Sequence, residues 1–269
     1  MRLFPAFAFC LGLLSAGVAD AQGFAQDVAR VDLIEGWRQD DGTHVAAIEI
    51  TLEPGWHTYW RVPGASGIPP HFDWSGSDNL ASVAYEWPRP DAFDSAGALT
   101  IGYHDRLVLP VILRATDPEA PIDVSLDLFF GVCEDICVPA DATVSARLDP
   151  TAEAQGRDRI DAALATRAWT PAQAGVEVVS CSVRPGESGH DLIATVTFRE
   201  PPSAGQIGIL ESGRSDIWVG EARTETRGRT VTATARIGGT ETVLDRGDLR
   251  VTVLDGTRFV DIPGCQSPG

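Results

Sequence analysis

Apolar and polar positions alternate along much of the chain between residues 31 and 148. The clearest run is 122–130, where Ile122, Val124, Leu126, Leu128 and Phe130 fall on one side and Asp123, Ser125, Asp127 and Phe129 on the other. That period of two predicts a strand with one buried face. Residues 44–52 alternate likewise after the polar turn Asp40-Asp41-Gly42, with Ile48, Ile50 and Leu52 opposing Ala47, Glu49 and Thr51. Residues 80–87, 107–113 and 142–148 are further strand candidates. Segments 61–70 and 87–102 are broken by Pro and Gly and are predicted as long loops. Short strands joined by such loops predict two packed antiparallel sheets.

A different pattern follows. Asp149 is suited to cap a helix, Pro150 to its first position, and Ile160, Ala163, Leu164, Arg167 and Ala168 keep helical spacing as far as Trp169. A connecting helix is therefore predicted over 150–170, with Gly156 weakening its middle by about 1 kcal/mol. Strand periodicity returns after Gly175, at 176–181, 192–198, 230–237 and 249–254. In 230–237, Val231, Ala233, Ala235 and Ile237 oppose Thr230, Thr232, Thr234 and Arg236, so the second core is thin. The expected organisation is a β domain at 22–149, a helical linker at 150–170 and a second β domain at 171–269.

Composition narrows the setting. The chain has 269 residues and a net charge of −17, and all 21 basic residues are Arg. So acidic a surface makes nucleic acid and anionic lipid unfavourable partners. Arg2, the apolar stretch 3–19 and the small-x-small site Ala19-Asp20-Ala21 predict a cleaved secretory signal over 1–21, which takes Cys10 with it. No later apolar run approaches membrane-spanning length, so an exported protein without stable membrane insertion is expected.

Export changes the meaning of the cysteines that remain, Cys133, Cys137, Cys181 and Cys265. Three pairings are possible and local pairing is the economical one. Cys181 with Cys265 closes a loop of over 80 residues and fits a structural role worth roughly 4 kcal/mol. Cys133 with Cys137 closes a loop too small to serve as a global staple. A small accessible disulfide at a strand end is instead open to an incoming thiolate. Glu134 and Asp135 lie between the two thiols and disfavour their ionisation, which suits a pair that donates electrons once a partner activates it.

The run Glu53-Pro54-Gly55-Trp56-His57-Thr58-Tyr59-Trp60-Arg61-Val62-Pro63-Gly64, with Gly102-Tyr103, Leu109-Pro110-Val111 and residues 132–139, resembles the amino-terminal periplasmic domain of DsbD. It is more similar still to the related domain of ScsB-type proteins. The resemblance implies an all-β fold of two immunoglobulin-like sandwiches joined by a short helical linker. It also implies a periplasmic relay in which Cys133 and Cys137 take electrons from a membrane thiol-disulfide reductase and pass them to thioredoxin-like proteins, with no cofactor. A freestanding receiver domain is expected, since the transmembrane and thioredoxin-like portions of those proteins have no counterpart in this sequence. The family covers its cysteines with an aromatic-bearing loop, and Tyr103, beside His104 and Asp105, is the nearest match. Phe129, on the otherwise polar side of its strand, is the other candidate shield.

Other chemistries have less support. His57, His71 and His104 could join the two thiols as soft ligands for copper or zinc, but histidines scattered over loops are more often polar bridges, and no metal is expected. Trp56, Tyr59, Trp60, Trp74 and Trp87 are read as packing in preference to a docking face. The chain has no Gly-x-Ser-x-Gly elbow to support a hydrolase. The competing function is a non-catalytic interaction module with two permanent disulfides, with copper binding a weaker possibility.

Overall fold

The computed structural model describes residues 27–65, 67–95, 97–186, 189–214, 216–239 and 244–266. The expected signal at 1–21 lies outside the described residues. In chain order the first half contains β1 (Ala29–Arg38), β2 (Thr43–Leu52), β3 (His57–Gly64), β4 (His71–Asp73), β5 (Leu80–Tyr85), β6 (Asp91–Ser95), β7 (Ala98–His104), β8 (Arg106–Ala115), β9 (Ile122–Cys133) and β10 (Cys137–Leu148). After helix α1 (Arg157–Ala165) come β11 (Val176–Gly186), β12 (Gly189–Phe198), β13 (Ile207–Glu211), β14 (Ile217–Val219), β15 (Arg223–Arg227), β16 (Thr230–Gly239), β17 (Arg250–Leu254) and β18 (Phe259–Pro263).

Among the described residues the fold is nearly all-β, with α1 the main exception. A sheet in the order β1-β2-β8-β5 faces one in the order β10-β9-β3-β7-β6, with β4 paired to β9. A second pair of sheets follows, β11-β12-β16-β14 with β15 on β16, and β13-β17-β18. The alternation of β9 is realised as read, since Ile122, Val124, Leu126, Leu128, Phe130 and Val132 are all at most 3% exposed and fill the first core.

Three sequence expectations need correction. The segment 87–102 is not wholly loop, because β6 and β7 form an antiparallel hairpin within it at the sheet edge. Its polar residues at Asp91, Asp94 and Ser95 suit an edge and hide the strand signal. The segment 61–70 likewise begins as strand, since β3 runs to Gly64. The helix does not start at Pro150. Asp149 accepts from the backbone N–H of Thr151 at 2.8 Å in a local turn, and α1 begins only after Gly156, whose φ of 61° makes it the N-cap and not a mid-helix weakness.

Helix α1 is more than a tether. Ile160 is fully buried against Ile34, Val45 and Ala47, and Arg159 forms an ion pair with Glu49. The face of β2 carrying Ala47 and Glu49 is thereby buried as well as the face carrying Ile48 and Ile50.

The two halves share apolar interior. Ile209, Leu254 and Phe259 of the second pair of sheets join the core of the first, and the Trp60 and Phe259 rings meet edge-on at 6.0 Å. Arg61 lies 4.0 Å above the Trp60 ring and pairs with Glu211 at 2.9 Å and Asp261 at 3.3 Å.

Candidate redox-active site

Strands β9 and β10 are joined by only three residues, and Cys133 and Cys137 are direct cross-strand partners with Cα atoms 4.1 Å apart, closed as a disulfide. The spacing of four therefore folds as a hairpin tip, and the sulfurs meet because antiparallel partners share a face. Cys133 is 2% exposed, whereas Cys137 is exposed together with Glu134, Asp135 and Ile136. The second disulfide, Cys181–Cys265, spans 84 residues with Cα atoms 5.7 Å apart. It ties the last described segment to β11, where Cys181 N–H also donates to Gln266 O at 2.8 Å.

The pairing register sets the surroundings of the first disulfide. His57 of β3 is the partner of both Cys133 and His104, so His104, His57, Cys133 and Cys137 stand in one row across β7, β3, β9 and β10. This row lies on the sheet face opposite the sandwich core, because the adjacent partners Tyr103, Thr58 and Val132 point inward. A small aromatic layer covers part of that outer face. The His57 ring meets those of Tyr59, Phe93 and His104 at centroid distances of 5.4, 5.0 and 5.7 Å, and Phe93 meets His104 at 4.2 Å.

Tyr59 reaches the sulfur. Its hydroxyl oxygen is 2.9 Å from Cys137 Sγ, and since a disulfide sulfur has no proton, the phenol donates. Two glycines make room for its ring. A Cβ at Gly131 would stand 2.8 Å from Tyr59 Cε2, and one at Gly67 would stand 2.7 Å from Cδ1. Burial raises the Tyr59 pKa, which keeps the phenol protonated and able to donate. Burial also lowers the His57 pKa, with His104 adding a smaller effect of the same sign, and His57 Nε2 is buried without a hydrogen-bond partner.

The expected shields are placed elsewhere. Tyr103 lies in the core, stacked on Trp87 at 6.5 Å, with its hydroxyl donating to Pro88 O at 2.8 Å. Its position on the inward face of β7 excludes it from covering the cysteines. Phe129 is on the outer face but four residues along β9 from Cys133, about 13 Å at strand rise. The Tyr59 ring fills the space over the intervening Gly131. His104 belongs to the row, and Glu134 and Asp135 are exposed in the turn that joins the two cysteines. His71 is paired with Phe129 on β4, away from His57. No cluster of three or more His, Cys, Asp or Glu able to hold a metal gathers among the described residues.

Residues 28–149 match the family model for the N-terminal part of thiol:disulfide interchange protein DsbD. That stretch is similar to a DsbD amino-terminal domain. The whole fold is similar to the crystal structure of the N-terminal periplasmic domain of ScsB from Proteus mirabilis, at 23% identity and a TM-score of 0.69 over 90% of this chain and 95% of that one. The shared fold thus extends beyond residues 28–149 into the second pair of sheets. The reduced DsbD N-terminal domain of Neisseria meningitidis matches at 14% identity and a TM-score of 0.29, over 48% of this chain and 94% of that one. No curated protein matches. No described helix is long and apolar enough to cross a membrane.

Proposed function

We propose that this protein is a periplasmic thiol-disulfide exchange protein that relays reducing equivalents from a membrane thiol-disulfide reductase to thioredoxin-like partners through Cys133 and Cys137. The observation that carries this reading is the asymmetry of the disulfide, with Cys137 at the surface of a hairpin tip and Cys133 buried behind it. A partner thiolate bonds to Cys137 Sγ, the Cys133–Cys137 bond breaks, and Cys133 sulfur leaves with the electron pair and takes a proton. A second partner thiol then displaces Cys137, leaving the partner oxidised and this protein a dithiol. Discharge to the next partner is the same sequence reversed. The family match over residues 28–149 and the periplasmic origin of the ScsB domain support the assignment. Tyr59 acts as a positioning residue that orients Cys137 sulfur, in the place first expected of Tyr103.

Trapping in cells tests this reading. Cys133→Ser leaves the exposed Cys137 thiol and is expected to capture partners as stable mixed disulfides, while Cys137→Ser captures far fewer. Capture by neither variant, together with a native pair that stays oxidised below about −300 mV, overturns the exchange reading in favour of an inert module.

A further inference from the structure

Because Cys133 is buried, a partner must approach the disulfide over Cys137 and the tip formed by Glu134, Asp135 and Ile136. Ile136 is 74% exposed and brings no charge to offset its neighbours. The acidic character extends down the hairpin. Asp127 and Asp141 lie on β9 and β10, and no Arg, Lys or His occurs between residues 127 and 146. Arg147, the first cation beyond, is engaged by Asp123 at 2.6 Å at the far end of the hairpin. Glu134 Oε1 lies 2.8 Å from where a Cβ of Gly55 would stand, so its carboxylate borders the turn that also carries exposed Glu53.

An incoming thiolate is itself an anion. Near several carboxylates its ionised form is disfavoured and its local concentration reduced, unless cations arrive with it. We infer that the partner of this disulfide presents its attacking cysteine in a segment flanked by Arg or Lys, whose charges face Glu134 and Asp135 in the encounter, and that anionic thiols are selected against. This rests on the exchange reading and adds the chemistry of the partner to it. Charge complementarity of this kind governs encounter rate and choice of partner more than final affinity.

The test uses the full protein and two cysteine peptides identical except that arginines flank the thiol in one and glutamates in the other. Opening of Cys133–Cys137 is followed by alkylation and mass spectrometry, with rates expressed per thiolate from each peptide's own titration. At low salt the arginine peptide is expected to react about 10-fold faster, and the ratio to fall to about 2-fold at molar salt as screening shortens the field. Glu134→Gln with Asp135→Asn should reduce the low-salt ratio several-fold, whereas Glu153→Gln, an exposed carboxylate outside the hairpin, should leave it unchanged. Equal rates per thiolate, or a ratio indifferent to the double substitution, overturn the partner chemistry while leaving exchange intact. Failure of both peptides to open the disulfide overturns exchange and this inference together.

Discussion

Tyr59 is where side-chain chemistry and redox function meet. In the proposed exchange, a phenol held at 2.9 Å from Cys137 Sγ stabilises the negative charge that develops on that sulfur when the second partner thiol displaces it from the mixed disulfide. Tyr59→Phe is therefore expected to raise the pKa of Cys137 in the reduced protein and to slow exchange several-fold, at a stability cost of about 1 kcal/mol. Thiolate absorbance against pH in a Cys133→Ser background measures the first effect. His57 gives a separate readout. Its pKa is lower folded than its ordinary 6.5, because burial disfavours the imidazolium. The unfolded chain then binds more protons, so the His57 contribution is present above about pH 6.5 and is lost as pH falls through the folded value. Denaturant unfolding should show stability declining from pH 7 to 5, and His57→Gln should flatten part of that slope. Neither residue's role was legible in the sequence. His57, Thr58, Tyr59 and Trp60 are all buried, so both faces of this stretch read as apolar or aromatic and nothing marks which face holds the cysteines. The cysteine pair itself was legible, because its spacing and the carboxylates between the thiols stand in the chain.

Among the elements, β3 and α1 account for what the pattern left out. Strand β3 is covered on the inner side by the sandwich core and on the outer side by the layer containing Phe93 and His104, which removes the period of two. The strand β2 lost its polar face for a different reason, since α1 lies across it and Arg159 compensates Glu49. Alternation registers a partner sheet but not a helix that docks on the opposite side. β9 was legible because its outer face is mostly wet and carries Asp123, Ser125 and Asp127. The start of α1 was misplaced because Asp149-Pro150 has the composition of a helix entry, while the deciding feature is a left-handed Gly156 packed against Ile34. If α1 is a structural cover remote from the disulfide, Ile160→Ala should destabilise the protein by about 3 kcal/mol and leave the rate of exchange per folded molecule unchanged. A parallel loss of exchange rate, measured well below the melting temperature, would show that α1 also shapes the hairpin tip.

At the scale of the whole molecule, the linear order of β half, helix and β half suggests two independent units, yet the interior is continuous. Phe259 is 3% exposed and reaches the first core beside Trp60, and Arg61, two residues beyond Tyr59 on β3, is held by Glu211 and Asp261 from the other half. One strand thus carries contacts to the disulfide at one end and to the second pair of sheets at the other. Sequence reading cannot anticipate such sharing, because an apolar residue pointing into its own core and one pointing into a neighbour's have the same pattern. The thin inner face of β16, with Ala233 and Ala235, makes the second half the dependent partner, and the Cys181–Cys265 bridge limits how far it can unfold alone. Shared burial makes the two halves one cooperative unit, so calorimetry on the intact protein should show a single transition whose calorimetric and van't Hoff enthalpies agree. Phe259→Ala removes the ring that joins the cores at a cost of about 3 to 4 kcal/mol. Much of that loss falls on the coupling between halves, so the transition should broaden or split, with the second half melting first. Two transitions in the unsubstituted protein would mean that the contacts around Trp60 and Arg61 join separate domains without coupling them.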